Sequence, residues 1–120
     1  MTHLKSYTSL EQSKELSKIL PLESADMHYG EYCVSGENYP VPNCDDDYNG
    51  HCCWSLAALL GILAKIASKI DDDGSADLSS FMGQWSINMF DCPVETTDNY
   101  DNPVDACYEM ILKLHELKML

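Results

Sequence analysis

The sequence predicts an α+β fold of two layers, organised around a central amphipathic helix, with further helices near both ends of the chain and a small antiparallel sheet. Three stretches carry that expectation. Between Cys53 and Ile70, Leu56, Leu59, Leu60, Leu63, Ile66, Ala67 and Ile70 recur at steps of three and four, while Ser55, Ala58, Lys65, Ser68 and Lys69 fall on the other side, which is a helical period. From Phe81 to Phe90, Trp85, Ile87 and Met89 alternate with Gln84, Ser86 and Asn88, which is the period of a strand. Asn102-Pro103-Val104-Asp105 starts a second core helix, with Asn as cap, Pro at the first helical position and an acid in the first turn.

In chain order, Thr8 or Ser9 opens a first helix, with Glu11 or Gln12 three residues on to complete a capping box. Leu10, Leu16, Ile19 and Leu20 give it a narrow apolar face, and Pro21 ends it by disfavouring a helical Leu20. Met27-His28-Tyr29, Tyr32-Cys33-Val34 and Tyr39-Pro40-Val41 then read as a hairpin around a turn at 35–38. Pro40 and Pro42 belong on an edge or at a strand end, since neither donates to a ladder. Asn43 to Gly50 is an acidic loop that leads into the central helix, and Asp71 to Asp77 is a second acidic loop that follows it. At that C-terminus the carboxylates oppose the helix dipole, and Lys65 and Lys69 offset part of the penalty. Val104, Cys107, Tyr108, Ile111, Leu114 and Leu117 keep helical spacing toward the last residue.

A chain of 120 residues is expected to make one domain, spanning residues 1–120, that buries roughly two thirds of its unfolded surface. Twenty acidic residues against seven Lys and no Arg leave a formal charge of -13. This argues against direct nucleic-acid binding, whose affinity comes from cations that neutralise phosphate, and against an anionic membrane surface. The central apolar run carries Lys65 and Lys69 and does not read as a membrane span, which needs about 20 apolar residues. The opening stretch MTHLKSYTSLEQ lacks a basic segment followed by an apolar run, so the expected location is cytoplasmic. Six cysteines in a reducing compartment are expected as free thiols, whereas a secreted form would read as three disulfides with about 15 possible pairings. The adjacent Cys52 and Cys53 fit that reading, because neighbouring residues bridge only with strain.

Four kinds of chemistry are worth weighing. Asp45, Asp47, Asn49 and Gly50 match the first half of a calcium loop, with oxygens from the first three and a bend at the fourth. The closing position holds Leu56 where a bidentate Glu belongs, and short acidic Gly-containing runs are ordinarily solvated turns. Cys33, Cys44, His51 and Cys52 or Cys53 are zinc-ligand types without zinc-knuckle spacing, and Cys33, Cys53 and Cys107 read more simply as small buried hydrophobes. A thiol nucleophile would pair Cys52 or Cys53, near a helix N-terminus, with His28, His51 or His115, but no catalytic signature surrounds them. Trp54, Trp85, Tyr29, Tyr32 and Tyr39 bracket the central helix as core aromatics do.

The segments SLEQSKELSKILPLESADM, CWSLAALLGIL and DNPVDACYEMILKLHEL resemble a family of short uncharacterised proteins from gut Bacteroides-type bacteria and their mobile elements. That resemblance implies a bacterial or phage cytoplasmic origin and adds no site residue. The functional expectation is therefore an acidic protein-interaction module rather than an enzyme, with no cofactor, and with a protein partner that includes a second copy meeting it through the leucines of the C-terminal helix, LHELKML. The alternatives are a divalent-metal module using Asp45, Asp47 and Asn49, and an acidic inhibitor that mimics nucleic acid.

Overall fold

The computed structural model describes residues 6–29, 40–42 and 51–120. Among the described residues three α-helices accompany two antiparallel sheets, which confirms the α+β class. Helix α1 (Leu10–Ser17) is followed by a short 3-10 turn at Leu22–Ser24. Strands β1 (Met27–Tyr29), β2 (Pro40–Pro42) and β3 (His51–Cys53) make a sheet in the order β2-β1-β3. Helix α2 (Leu56–Ile70), the hairpin β4 (Ser75–Phe81) and β5 (Gln84–Phe90), and helix α3 (Pro103–Glu116) complete the chain.

The first helix starts where its capping box dictates. The Ser9 side chain accepts from the Gln12 N–H at 3.1 Å, and the Gln12 side chain accepts from the Ser9 N–H at 3.0 Å. Its start is tied to β3 by a buried polar knot. Thr8 and Ser13 are fully buried, and Thr8 Oγ1 lies 2.8 Å from Ser13 Oγ and accepts the Trp54 N–H at 3.1 Å. Ser13 Oγ donates to the Ser9 carbonyl at 2.6 Å, so its proton is committed there and the Thr8 hydroxyl is the donor to Ser13.

The central helix begins three residues later than its apolar run suggests, because Cys52 and Cys53 belong to β3 and Ser55 is the N-cap. The reason is a clamp from upstream. Asp26 accepts the Ser55 N–H at 2.8 Å with one carboxylate oxygen and the Ser55 hydroxyl with the other, while Ser55 Oγ accepts the Ala58 N–H at 3.1 Å. Inside the helix Leu59, Leu63, Ile66 and Ala67 are buried, whereas Lys65 and Lys69 are exposed. The buried side meets α3, whose Val104, Cys107, Met110, Ile111 and Leu114 are all fully buried. The hairpin lies against both helices, β4 on α2 and β5 on α3, and inserts Ile87 and Met89 into the core. No helix among the described residues is long and apolar enough to cross a membrane.

The second acidic stretch is only partly a loop. Asp71 caps α2, and its side chain accepts the Asp73 N–H at 2.8 Å in a tight turn closed by Gly74 N–H donating to the Asp71 carbonyl at 2.8 Å. A Cβ on Gly74 would stand 2.2 Å from the Ala67 carbonyl oxygen, so the turn requires glycine. Ser75 onward then forms β4, paired in register from Ser75↔Phe90 to Phe81↔Gln84. The whole stretch 81–90 is thus not one strand. Phe81 ends β4, Met82 and Gly83 make a two-residue turn with φ of 53° and 79°, and β5 begins at Gln84. Two positive φ values are the signature of a type I′ hairpin turn.

Near the N-terminus, Met27–Tyr29 is a strand as expected, but it pairs with both Pro40–Pro42 and His51–Cys53, with β2 on an edge where its prolines are tolerated. The expected segment at Tyr32–Val34 and the turn at 35–38 lie outside the described residues. At the other end α3 has its expected Asn102 cap, with Asp105 N–H donating to Asn102 Oδ1 at 2.9 Å, but the helix stops at Glu116. Met119 N–H donates to the Leu114 carbonyl at 2.9 Å and Lys118 N–H to the His115 carbonyl at 3.0 Å, a Schellman cap with Lys118 at φ 58° where glycine is usual.

Candidate functional site

Asp45, Asp47 and Asn49, the calcium candidates, lie outside the described residues, as do Cys33 and Cys44 of the zinc set. Among the described residues no group of three or more His, Cys, Asp or Glu is arranged to hold a metal ion.

Cys52, Cys53, Cys92 and Cys107 are free thiols. Cys53 is buried in β3, with Thr8 Oγ1 at 3.5 Å and the Thr8 carbonyl at 3.4 Å from its sulfur, and so is not at the helix N-terminus. Burial pushes the Cys107 thiol up to about 12. The Cys92 thiol is also raised, first by burial and then by the Asp71 and Asp91 carboxylates. Both shifts run against a nucleophile, which needs its thiolate near neutral pH. The β1–β3 register does set His28 directly opposite Cys52. His115 is exposed on the last turn of α3.

The concave feature richest in chemistry is one the sequence did not single out. Gln12 Nε2 donates to Asp105 Oδ1 at 2.8 Å, and Asn102 Nδ2 donates to Asp105 Oδ2 at 2.8 Å, so the start of α1 is tied to the start of α3. Beside this tie lies an open groove of about 640 Å³ that collects Glu11, Glu15, Asp105, Glu109, Tyr100 and Tyr108, with Lys14 also on its wall. A smaller concavity of about 410 Å³ shares Tyr100 and Glu109 and extends the acidic surface over Glu95, Asp98 and Glu116. Asp105, Glu109 and Glu116 share a face of α3 because they stand four and seven residues apart.

The electrostatics of the groove follow from this crowding. Burial raises the Glu109 carboxyl above its ordinary value, and Asp105 and Glu116 raise it further. Tyr108 is raised by burial, then by Glu15 and Glu109, and Tyr100 by burial, then by Glu109, Asp98 and Asp105. At neutral pH the two tyrosines stay uncharged, while the Glu109 carboxylate faces Asp105 and Glu116 in a partly dehydrated place, a penalty that a bound cation relieves. Carboxylates beside aromatic rings suit an ammonium or guanidinium group, which gains ion pairing and cation–π attraction together.

Sequence reading missed this surface because its walls come from residues 9–15, 100 and 105–109, which are brought together only in the fold, where Gln12 reaches Asp105. The one local trace was the spacing of Asp105 and Glu109. Comparison with known protein families, with curated protein sequences and with solved structures finds no match.

Proposed function

We propose that this domain is a protein-interaction module whose groove between α1 and α3 receives a Lys- or Arg-bearing segment of another protein, in a bacterial cytoplasmic setting. The observation that carries the reading is the convergence of Glu15, Asp105 and Glu109 with Tyr100 and Tyr108 on one concavity. The formal charge of -13 supports a cationic partner by long-range attraction and disfavours a nucleic acid. Among the described residues Asp72, Asp73 and Asp91 sit in turns and Asp77 on β4, apart from the groove, which fits a localised docking site better than a mimic of a phosphate row. Leu117 and Leu120 are about half exposed; Leu117 is the C-cap of α3 and Leu120 lies beyond the Schellman turn, so Leu120 does not continue the helical stripe of the helix-to-helix contact expected there.

The test is titration with a fluorescent Lys-rich peptide at two salt concentrations. The reading expects saturable binding that weakens with salt, and that is lost in Glu15→Gln/Glu109→Gln but kept in Asp72→Asn/Asp73→Asn, which removes the same charge elsewhere. Equal losses in the two double variants, or no binding by the wild-type protein, would overturn it.

A further inference from the structure

The two outer edges of the hairpin are treated differently. On β5 the outward backbone groups are used. Trp85 N–H donates to the Tyr100 carbonyl at 2.7 Å and Tyr100 N–H returns the bond at 2.8 Å, while Ile87 N–H donates to Thr97 Oγ1 at 2.9 Å and the Ile87 carbonyl accepts the Thr97 N–H at 3.1 Å. On β4 the corresponding groups belong to Ala76, Leu78 and Ser80, because a two-residue turn makes Phe81 and Gln84 the first inward-bonded pair and the ladder alternates from there. Among the described residues these three have no backbone partner beyond the hairpin. SADLSSF has no proline, no bulge in its pairing with β5 and no charge on its packed face, and its single charged side chain, Asp77, is on the solvent face.

We propose that this edge pairs with β4 of a second copy, antiparallel across a two-fold axis at Leu78, to give a continuous four-stranded sheet β5-β4-β4-β5. This surface is separate from the α1–α3 groove and does not depend on the reading of it. The strand is complementary to itself in this register. Leu78 meets Leu78 of the second copy, Ala76 meets its Ser80, Asp77 its Ser79, and Ser75 its Phe81, so every outward N–H and C=O faces its counterpart and no carboxylate opposes another. Registers shifted by two residues lose this match: an axis at Asp77 sets that carboxylate opposite its own copy, and an axis at Ser79 sets Ala76 opposite Met82 in the turn and so forms fewer bonds. On the solvent side the pairing places Phe81 of the second copy next to Ser75 and, across that small side chain, near Phe90. The two rings, 79% and 48% exposed in the single chain, then cover each other's flanks. On the helix side it adds contacts to the half-buried Leu78.

Each copy carries -13, so charge repulsion opposes this dimer and salt favours it, the reverse of the salt dependence of a cationic partner. Sedimentation velocity from micromolar to millimolar protein, at low salt and at about 0.5 M NaCl, is expected to show a monomer–dimer equilibrium that tightens with salt. Two substitutions on the exposed face read the register itself. Ser79→Asp sets two carboxylate pairs opposite each other and is expected to weaken the dimer about fivefold, whereas Ser79→Lys sets two ion pairs and is expected to tighten it about fivefold, from two cross-strand pairs of roughly 0.5 kcal/mol each. Asn99→Asp and Asn99→Lys, beyond the β5 edge, change net charge equally and control for it, and circular dichroism confirms that each variant is folded. Monomer at every concentration and both salts, or Ser79 variants that move no further than their Asn99 controls, would overturn the proposal.

Discussion

Replacing Thr8 by Val tests the buried knot that ties α1 to the middle of the chain. Valine has nearly the shape of threonine, so packing is kept and only the hydroxyl is lost. Thr8 Oγ1 is the side-chain acceptor for the buried Trp54 N–H at 3.1 Å and donates to Ser13 Oγ at 2.8 Å. Its removal leaves one buried donor without that acceptor, which costs about 1–3 kcal/mol, and removes one neutral hydrogen bond of roughly 1 kcal/mol. The expected loss is about 2–4 kcal/mol, a large part of the roughly 6–18 kcal/mol that a chain of this length commands. Thr8→Ser keeps the hydroxyl and deletes a methyl group, for about 1 kcal/mol. Urea unfolding followed by Trp fluorescence measures both, since Trp54 is fully buried and its indole N–H donates to Ser24 Oγ at 3.0 Å. The reasoning fails if Thr8→Val is within about 0.5 kcal/mol of wild type, or if Thr8→Ser is the more damaging of the two.

Three further outcomes are expected. Gly61 has nothing within 4 Å of an added Cβ, so Gly61→Ala in the exposed part of α2 should stabilise by about 0.5–1 kcal/mol, whereas Gly74→Ala should destabilise by at least about 2 kcal/mol because its Cβ meets the Ala67 carbonyl; thermal unfolding separates the signs. Lys118→Gly relieves a left-handed residue at the end of α3 and should raise stability by about 0.5–1 kcal/mol in the same assay. Glu109, whose folded pKa is raised, favours folding fully only below the ordinary carboxylate pKa and loses that contribution as pH rises through the raised value. Glu109→Gln should therefore melt higher than wild type at pH 7, and the gap should close as pH falls to about 4; a gap that widens on acidification would contradict the assignment.

The helices were legible where local chemistry decides them. Ser9 with Gln12, and Asn102 with Pro103, are end signals that operate within four residues, and the apolar stripe of α2 needs only its own period. Its first turn was not legible, since the start at Ser55 depends on Asp26, 29 residues upstream. Strand β4 was hidden for a related reason. Asp77 and three serines make the segment look like a loop, and only pairing with β5 turns Ala76 and Leu78 into an inward row. Met82-Gly83 was the overlooked sign, a glycine two residues after the alternation breaks. The acidic groove was less legible still, because charge counts say how many carboxylates there are but not which of them converge.

The bond between Asp26 and Ser55 also bears on how the chain assembles. A helix whose first turn is fastened by a residue so far back in sequence can complete that turn only after the intervening stretch has closed on itself. Closure entropy grows with the logarithm of length, about 0.6 kcal/mol per doubling, so joining Asp26 to Ser55 across 29 residues costs only slightly more than joining two residues half as far apart.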